Sequence, residues 1–380
     1  MTSERIAFDL TQAKLGRIGS TVYTESLLAA LTPLLGERIV PIASRLARPV
    51  AGANRTLGQR LATLGRDLWW HQAGVTLAAR RRSCRLLHLP AGLGPVASRF
   101  PVVVTVHDIM PIRFPEFFRP WYRSYVGFVL PRLARRARAL ICGSEAARQE
   151  LVEWIGIPAE RATVIPYGVD SVFRPLRPDD PAVNAVRRRY DLPHNFVLAV
   201  GSVEPRKNLP RLLDALRRLR EQPETADVAL VHAGPEGWQP EVATEAARRL
   251  GVDSITRFLG YVPVADLAAL YGLARVFAFP SLWEGFGIPV LEAMACGCPV
   301  VTSRVSSLPE VAGDAALLVD PTSPDAIAQA IAALWHDGPV RSELIERGLA
   351  HARRFTWERT AAATAAVYEA VLSGNGAPSR

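Results

Sequence analysis

Long hydrophobic runs, paired cysteines and a leader pattern are all missing from this chain of 380 residues. No uninterrupted apolar stretch is long enough to span a bilayer, and Met1 is not followed by the basic, apolar and small-residue succession of a secretory leader, so the expected location is the cytoplasm. The four cysteines, Cys84, Cys142, Cys296 and Cys298, form no C-x-x-C pair and have no accompanying histidine at metal-ligand spacing. That argues for reduced structural thiols rather than a disulfide framework or a zinc module. No Asp-x-Asp triplet occurs, so no bound metal is expected. Short-period repeats are absent, as is the aromatic interleaving that would mark an RNA platform.

What is present is an ordinary globular composition with an uneven charge. Hydrophobic residues make up 49% of the chain, enough for two or three sizeable cores. The net charge of +9 arises entirely in the first half: residues 1–180 hold 25 Lys+Arg against 14 Asp+Glu, and residues 181–380 hold 20 against 22. A basic half suits an anionic partner, either nucleic acid or an anionic membrane face. Trp69-Trp70 beside Arg66, followed by Arg80, Arg81, Arg82 and Arg85, has the look of an interfacial segment. A solvated arginine-rich surface is the competing reading.

Short apolar runs alternate with helical patterns along the whole length. In the first half the strands read as Arg5–Leu10, Arg38–Ile42, Leu86–Leu89, Val102–Val106 and Ala139–Cys142, with a further strand in Val164–Asp170. A glycine loop with Gly16 and Gly19 follows the first strand and leads to a helix from about Ser20. The span 45–85 is basic and holds a helix over about 59–80. Ser144 is placed to cap a helix that begins at Glu145. Pro175, Pro178, Asp179, Asp180 and Pro181 mark a linker, after which the alternation restarts with Phe196–Val200, and Asn208 is placed to cap the helix that runs to Arg220. Two runs of this kind predict an α/β protein with two doubly wound parallel-sheet domains.

One stretch concentrates the chemistry. Phe277–Phe279 is a buried strand end that Pro280 stops, Gly285 and Gly287 permit a tight turn, and Pro289 suits the first turn of a helix. Such a helix start favours a phosphate. Glu284 before the turn and Glu292 inside the helix are expected to face that ligand, and the two oxygens of Glu292 suit a ribose diol. Arg206-Lys207, between a strand end and a helix start, would neutralise a departing diphosphate. His107-Asp108 sits at the carboxyl end of a strand, where open α/β sheets bind ligands.

These residues resemble a retaining glycosyltransferase of family 4, which has the two-domain GT-B architecture. The likeness rests on Gly16-Arg17-Ile18-Gly19 with Tyr23, Val106-His107-Asp108, Pro166-Tyr-Gly-Val-Asp170, Glu204-Pro-Arg-Lys-Asn208, Glu284-Gly-Phe-Gly-Ile-Pro-Val-Leu-Glu292 and Phe355-Thr-Trp357. The resemblance implies two Rossmann-like domains facing across a cleft: residues 1–178 for the acceptor, residues 179–355 for a nucleotide-sugar, and a C-terminal helix in 356–380 crossing back to the first domain. It also implies Arg206 and Lys207 on the diphosphate, Glu292 on the ribose and Leu291 on the nucleoside. Gly201 lies in the same loop as the cations. Tyr261 and Val262 would lie near the base, and Glu284, Gly285, Phe286 and Gly287 at the transferred sugar. His107 would contact that sugar close to its anomeric carbon, and Gly19 would face the diphosphate or the acceptor. Many members have Arg where this chain has Ser202, which leaves that charge to Arg206.

The implied reaction is transfer of a hexose, with GDP-mannose the favoured donor, to a hydroxyl of a glycolipid or polysaccharide precursor, with retention and without metal or other cofactor. The expected partners are that donor, a glycan or lipid-linked acceptor, and an anionic membrane face if the enzyme sits peripherally on the inside of the cytoplasmic membrane; no nucleic acid is expected. Two alternatives stay open: a sugar-nucleotide epimerase or hydrolase on the same fold, and a nucleic-acid-binding protein using the basic half.

Overall fold

The computed structural model describes residues 4–15, 18–44, 65, 68–177, 180–237 and 239–374. Gly16 and Arg17 of the first loop, Arg66, the part of the expected 59–80 helix before residue 65, and Pro178-Asp179 lie outside the described residues. Within them the chain forms two compact units, one of Met1–Gly168 with Trp357–Arg380 and one of Val169–Thr356.

The first unit is built on a six-stranded parallel sheet. Its strands are β1 (Arg5–Asp9), β2 (Ile39–Ile42), β3 (Cys84–Leu89), β4 (Val102–Thr105), β5 (Ala139–Cys142) and β6 (Ala162–Val164), in the order β2-β1-β3-β4-β5-β6. Alternate residues of a strand point to opposite faces. Ala7 and Val104 join a cluster with Val126, Val129, Leu130 and Leu133 of the helix Pro120–Arg136, while Ile6, Phe8 and Val103, also buried, point the other way. Both faces of the central strands are therefore covered, which is why a strand such as Val102–Thr105 reads as an apolar run. The last helix, Trp357–Leu372, packs beside Ile18–Leu35 in this unit, with Arg38 Nη2 2.7 Å from Glu369 Oε1 and the Thr360 hydroxyl donating to Pro166 O at 2.8 Å.

The second unit repeats the plan with β7 (Val197–Val200), β8 (Leu230–Ala233), β9 (Thr256–Phe258), β10 (Val276–Phe279), β11 (Val300–Ser303) and β12 (Ala316–Val319), in the order β12-β11-β10-β7-β8-β9. The helix Leu209–Arg220 shows how sequence sets the packing: Leu209, Leu212, Leu213, Leu216 and Leu219 recur at helical spacing and are buried, and arginines fill the last turn. The chain enters and leaves this unit at neighbouring points, with Val169 N donating to Phe355 O at 3.1 Å. The division falls at Gly168/Val169, ahead of the proline-rich stretch, because Phe173 is buried against Tyr271, 5.9 Å between ring centroids.

Three local readings need correction. The interfacial reading of Trp69-Trp70 fails at Trp70, which is buried in the first core where a π-helical turn, Trp70–Gly74, rotates it inward, leaving Trp69 exposed. Gly19 lies in the first turn of the helix Ile18–Leu35, not in the loop before it, and a side chain there would meet nothing within 4 Å among the described residues. Asn208 does not cap its helix through its side chain. It adopts a left-handed conformation, φ 61°, and its amide crosses to another loop as described below. Ser144, by contrast, accepts from Ala147 N at 3.1 Å and caps the helix starting at Glu145.

Candidate active site

In an open parallel sheet, ligands bind beyond the carboxyl ends of the strands where the strand order reverses. In the second unit that point lies between β7 and β10, which are hydrogen-bonded neighbours. The chain leaving β7 turns at Gly201, φ +132°, and the chain leaving β8 turns at Gly234. A Cβ on Gly234 would stand 1.9 Å from Gly201 O, and one on Gly201 would stand 2.9 Å from Lys207 Cε. The two loops approach so closely that neither glycine can be replaced without displacing backbone or the lysine.

The loop after β7 is then fastened to the loop after β10. Leu282 N donates to Arg206 O at 2.8 Å, and Asn208 Nδ2 is within reach of Pro280 O at 2.9 Å and Pro321 O at 2.7 Å. Asn tolerates the left-handed backbone needed here, so a single buried side chain sets both the turn and the spacing of three loops.

This frame brings together charges that are far apart in sequence. Glu284 Oε2 accepts from Arg206 Nη1 at 2.6 Å and Glu284 Oε1 accepts from Lys207 Nζ at 2.7 Å, while Arg206 Nη2 lies 2.8 Å from Glu204 Oε1. The side chains of Lys207 and Glu284 are each 10% exposed and that of Arg206 is 23%. Lys207 Nζ also stands 4.4 Å over the centre of the Phe279 ring. Burial alone would raise the Glu284 pKa, but attraction to Arg206 and Lys207 outweighs it and holds the carboxyl at about 2. Burial pushes the Lys207 ammonium down, against the pull of Glu284. The cations expected to face a diphosphate thus face Glu284, in a buried cluster where two cations balance two carboxylates.

Glu292 occupies a different environment. Gly287, φ +114°, lets the chain turn into the helix Ile288–Ala295, and a Cβ there would come 2.8 Å from Leu308. Glu292, in the helix, is buried, and its Oε2 accepts from the Tyr271 hydroxyl at 2.9 Å. Burial is the main cause that moves its pKa up, to about 7, the Tyr271 hydrogen bond opposing. The two carboxylates expected to act together are therefore poised oppositely, Glu284 as a fixed anion and Glu292 as a group that titrates near neutrality.

The first unit supplies a histidine beyond β4. His107 Nδ1 lies 2.8 Å from the Tyr167 hydroxyl and Nε2 lies 2.8 Å from Pro90 O. Because a carbonyl only accepts, Nε2 holds the proton and Nδ1 accepts from Tyr167. Burial lowers the His107 pKa to about 4, so the ring is neutral. Tyr23 stacks edge-on at 4.8 Å, and Asp108 turns away to accept from Met110 N at 3.0 Å.

Comparison with known proteins fits this geometry. Residues 19–173 match the family model Glycosyltransferase Family 4 and residues 186–351 match Glycosyl transferases group 1. The O-antigen chain mannosyltransferase B of Escherichia coli is 36% identical over 268 residues, 70% of each chain. The chain belongs to glycosyltransferase family 4. The MMP alpha-(1->4)-mannosyltransferase of Mycolicibacterium hassiacum is 31% identical over 324 residues, 80% of this glycosyltransferase and 74% of that protein. Among solved structures, the sucrose-phosphate synthase of Thermosynechococcus elongatus superposes with a TM-score of 0.76 at 19% identity, covering 98% of this chain and 100% of the other. The fold is GT-B.

The remaining candidate residues of this glycosyltransferase differ in what they can offer a ligand. Tyr261, beyond β9, is 66% exposed, whereas Val262 beside it is buried. Leu291 and Phe286 are buried and present little or no side-chain surface. Sequence reasoning missed Ser306, Ser307 and Tyr271. Ser306, itself at φ 57°, accepts from Glu284 N at 3.1 Å, and the Ser307 hydroxyl lies 2.9 Å from Glu284 O and 2.6 Å from Phe286 O. These serines hold the turn between the two glutamates. The available signal was polar residues directly after the β11 run.

Proposed function

We propose that this glycosyltransferase moves mannose from GDP-mannose to a hydroxyl of a polysaccharide or glycolipid precursor, with retention of configuration and with side-chain cations rather than a metal facing the diphosphate. The observation that carries the reading is the Arg206–Lys207–Glu284 cluster at the β7/β10 reversal point, beside the start of the helix Ile288–Ala295. A nucleotide-sugar donor and a glycan acceptor follow from the family. Mannose is supported by the similarity to proteins named mannosyltransferases.

In the proposed reaction the bond between the anomeric carbon and the diphosphate oxygen breaks, and its electron pair stays on that oxygen. The acceptor oxygen bonds to the same face of the anomeric carbon, and its proton passes to the departing phosphate oxygen. Arg206 and Lys207, in a loop whose backbone Asn208 fastens to its neighbours, stabilise the charge that develops there. The diphosphate takes over from Glu284 as their counter-ion, and Glu284 turns to the hydroxyls of the transferred sugar. Glu292, ionised above its pKa of about 7, accepts from the ribose diol. His107, as a neutral ring oriented by Tyr167 and Pro90, is the proposed sugar contact of the first unit. Tyr261 is the proposed neighbour of the base.

The test is product analysis with GDP-mannose, and with UDP-, ADP- and dTDP-sugars as controls, in the presence and absence of an oligomannoside acceptor and of EDTA. The reading expects an α-linked mannoside from the α-configured GDP-mannose, formed only with acceptor and unchanged by EDTA. A β-linked product, free mannose or an epimerised nucleotide-sugar as the only product, or complete loss with EDTA would each defeat the corresponding part.

A further inference from the structure

One buried polar network of the first unit takes no part in the proposed reaction. His88, in β3, is fully buried, with Nδ1 2.5 Å from the Tyr368 hydroxyl and Nε2 2.8 Å from Thr105 Oγ1 of β4. Thr105 Oγ1 in turn lies 3.0 Å from the hydroxyl of buried Tyr23. Burial lowers the His88 pKa to about 3, with repulsion from His107 adding to it, so the ring is neutral. A neutral imidazole donates from one nitrogen and accepts at the other. His88 therefore ties together two hydroxyls from separate elements, Tyr368 of the helix Trp357–Leu372 and Thr105 of the sheet.

Three groups that meet His107 are each tied to that same helix. The Tyr23 ring, edge-on to His107 at 4.8 Å, lies 5.9 Å from the ring of Trp357. Tyr167, whose hydroxyl bonds His107 Nδ1, follows Pro166, whose carbonyl accepts from Thr360. Pro90, whose carbonyl accepts from His107 Nε2, stands two residues beyond His88, which Tyr368 holds. Tyr23 and Tyr167 also touch each other, 4.5 Å between ring centroids, and the Tyr167 ring lies so close to Gly143 that a Cβ there would stand 2.7 Å from its Cζ. At about 100° per residue, positions 357, 360 and 368 share a stripe roughly 80° wide, and they span about 16 Å of helix. One helix face thus supplies all three ties.

We infer that the helix Trp357–Leu372 positions His107, through the chain Tyr368–His88–Thr105–Tyr23 and through the contacts of Trp357 and Thr360. Holding the helix on the sheet does not require this chain, because apolar side chains of the same shape would pack there at little or no cost in stability. What a fully bonded polar chain adds is a single fixed arrangement of its members. That arrangement ends on Tyr23, which packs against both the His107 ring and the tyrosine that bonds it. The kinetic consequence rests on the proposed sugar contact of His107; the positioning itself does not.

The experiment is long-range proton–nitrogen correlation NMR of the full chain carrying isotopically labelled histidine, which reads the protonated nitrogen of each ring, beside steady-state transfer from GDP-mannose. Tyr368→Phe and Thr105→Val each remove one hydroxyl at nearly constant shape. Each should displace the His107 signals while those of His194 and His336 in the second unit stay in place, and should lower kcat about tenfold with donor KM within about twofold of wild type. Thr105→Ser keeps the hydroxyl and should keep the wild-type His107 signals. Val129→Ala, a cavity elsewhere in the first core, should lower the melting temperature without moving the His107 signals or kcat. In a His107→Ala background, Tyr368→Phe should cost no further activity. Wild-type His107 signals in both Tyr368→Phe and Thr105→Val, or an undiminished loss from Tyr368→Phe in the His107→Ala background, overturns the inference. Displaced His107 signals together with wild-type transfer by His107→Ala uphold the positioning and defeat the proposed sugar contact instead.

Discussion

Removing Glu284 should reveal how much stability the charge cluster stores and what ligand belongs there. In Glu284→Ala, Arg206 keeps Glu204 at 2.8 Å, but Lys207, with a side chain only 10% exposed, loses the carboxylate that bonds it at 2.7 Å. Stranding a buried charge in this way costs about 3–5 kcal/mol. For a unit the size of Val169–Thr356, at roughly 2–4 °C per kcal/mol, the melting temperature should fall by about 6–20 °C. The same reasoning predicts rescue. A diphosphate supplies the missing anion, so GDP should raise the melting temperature of Glu284→Ala by more than it raises wild type, whose cations are already paired. Lys207→Met combined with Glu284→Gln, which removes both charges, should recover most of the loss and respond weakly to GDP. The assay is thermal denaturation of the three proteins with and without GDP. A Glu284→Ala protein that melts within a degree of wild type, or that gains no more from GDP than wild type does, refutes the argument.

Other outcomes follow from the same structure. The Glu292 pKa is raised by burial to about 7, so the folded state binds a proton that the unfolded chain has already lost above its ordinary value. This stabilisation is fully present below that ordinary value and is lost as pH rises through about 7. Glu292→Gln should therefore be more stable than wild type at pH 8 and lose that advantage in acid, as read by urea denaturation across pH. Donor KM of wild type should rise as pH falls below about 7, and Tyr271→Phe, which removes the bond opposing the raised pKa, should move that break upward. Gly234→Ala places a Cβ 1.9 Å from Gly201 O, so it should abolish GDP binding in calorimetry and lower the melting temperature. Asn208→Ala leaves the carbonyls of Pro280 and Pro321 without their buried donor and puts a less tolerant residue at φ 61°, for a loss of about 2–4 kcal/mol in urea denaturation.

Much of this protein could be read from its residues. The central strands announce themselves, because a parallel strand covered on both faces, such as Val102–Thr105 or Val276–Phe279, is an unbroken apolar run, whereas the strand read in Val164–Asp170 is displaced: β6 is Ala162–Val164, only partly covered and without an apolar run to mark it. The helix Leu209–Arg220 is equally plain from its leucine spacing. What the chain could not disclose is which loops meet. Glu284 is separated from Lys207 by 77 positions and from Arg206 by 78, and only the β7/β10 adjacency makes them partners. Without that contact the cations read as available to a diphosphate, and nothing in the sequence marks Glu284 as their partner. The inward turn of Trp70 has the same origin, since a π-helical turn leaves no periodic trace in composition. Asn208 looks like an ordinary cap until Pro280 and Pro321 are brought beside it.

The most direct test of the central claim is steady-state transfer from GDP-mannose to an oligomannoside acceptor by wild type, Lys207→Ala and Glu292→Ala, each confirmed as folded by circular dichroism. If Lys207 stabilises the departing diphosphate and Glu292 holds the ribose, turnover at saturating acceptor falls on the order of 100-fold or more in the lysine variant, and the glutamate variant shows a large rise in donor KM. Near-wild-type kinetics in both variants would contradict the assignment of the donor site to this cluster.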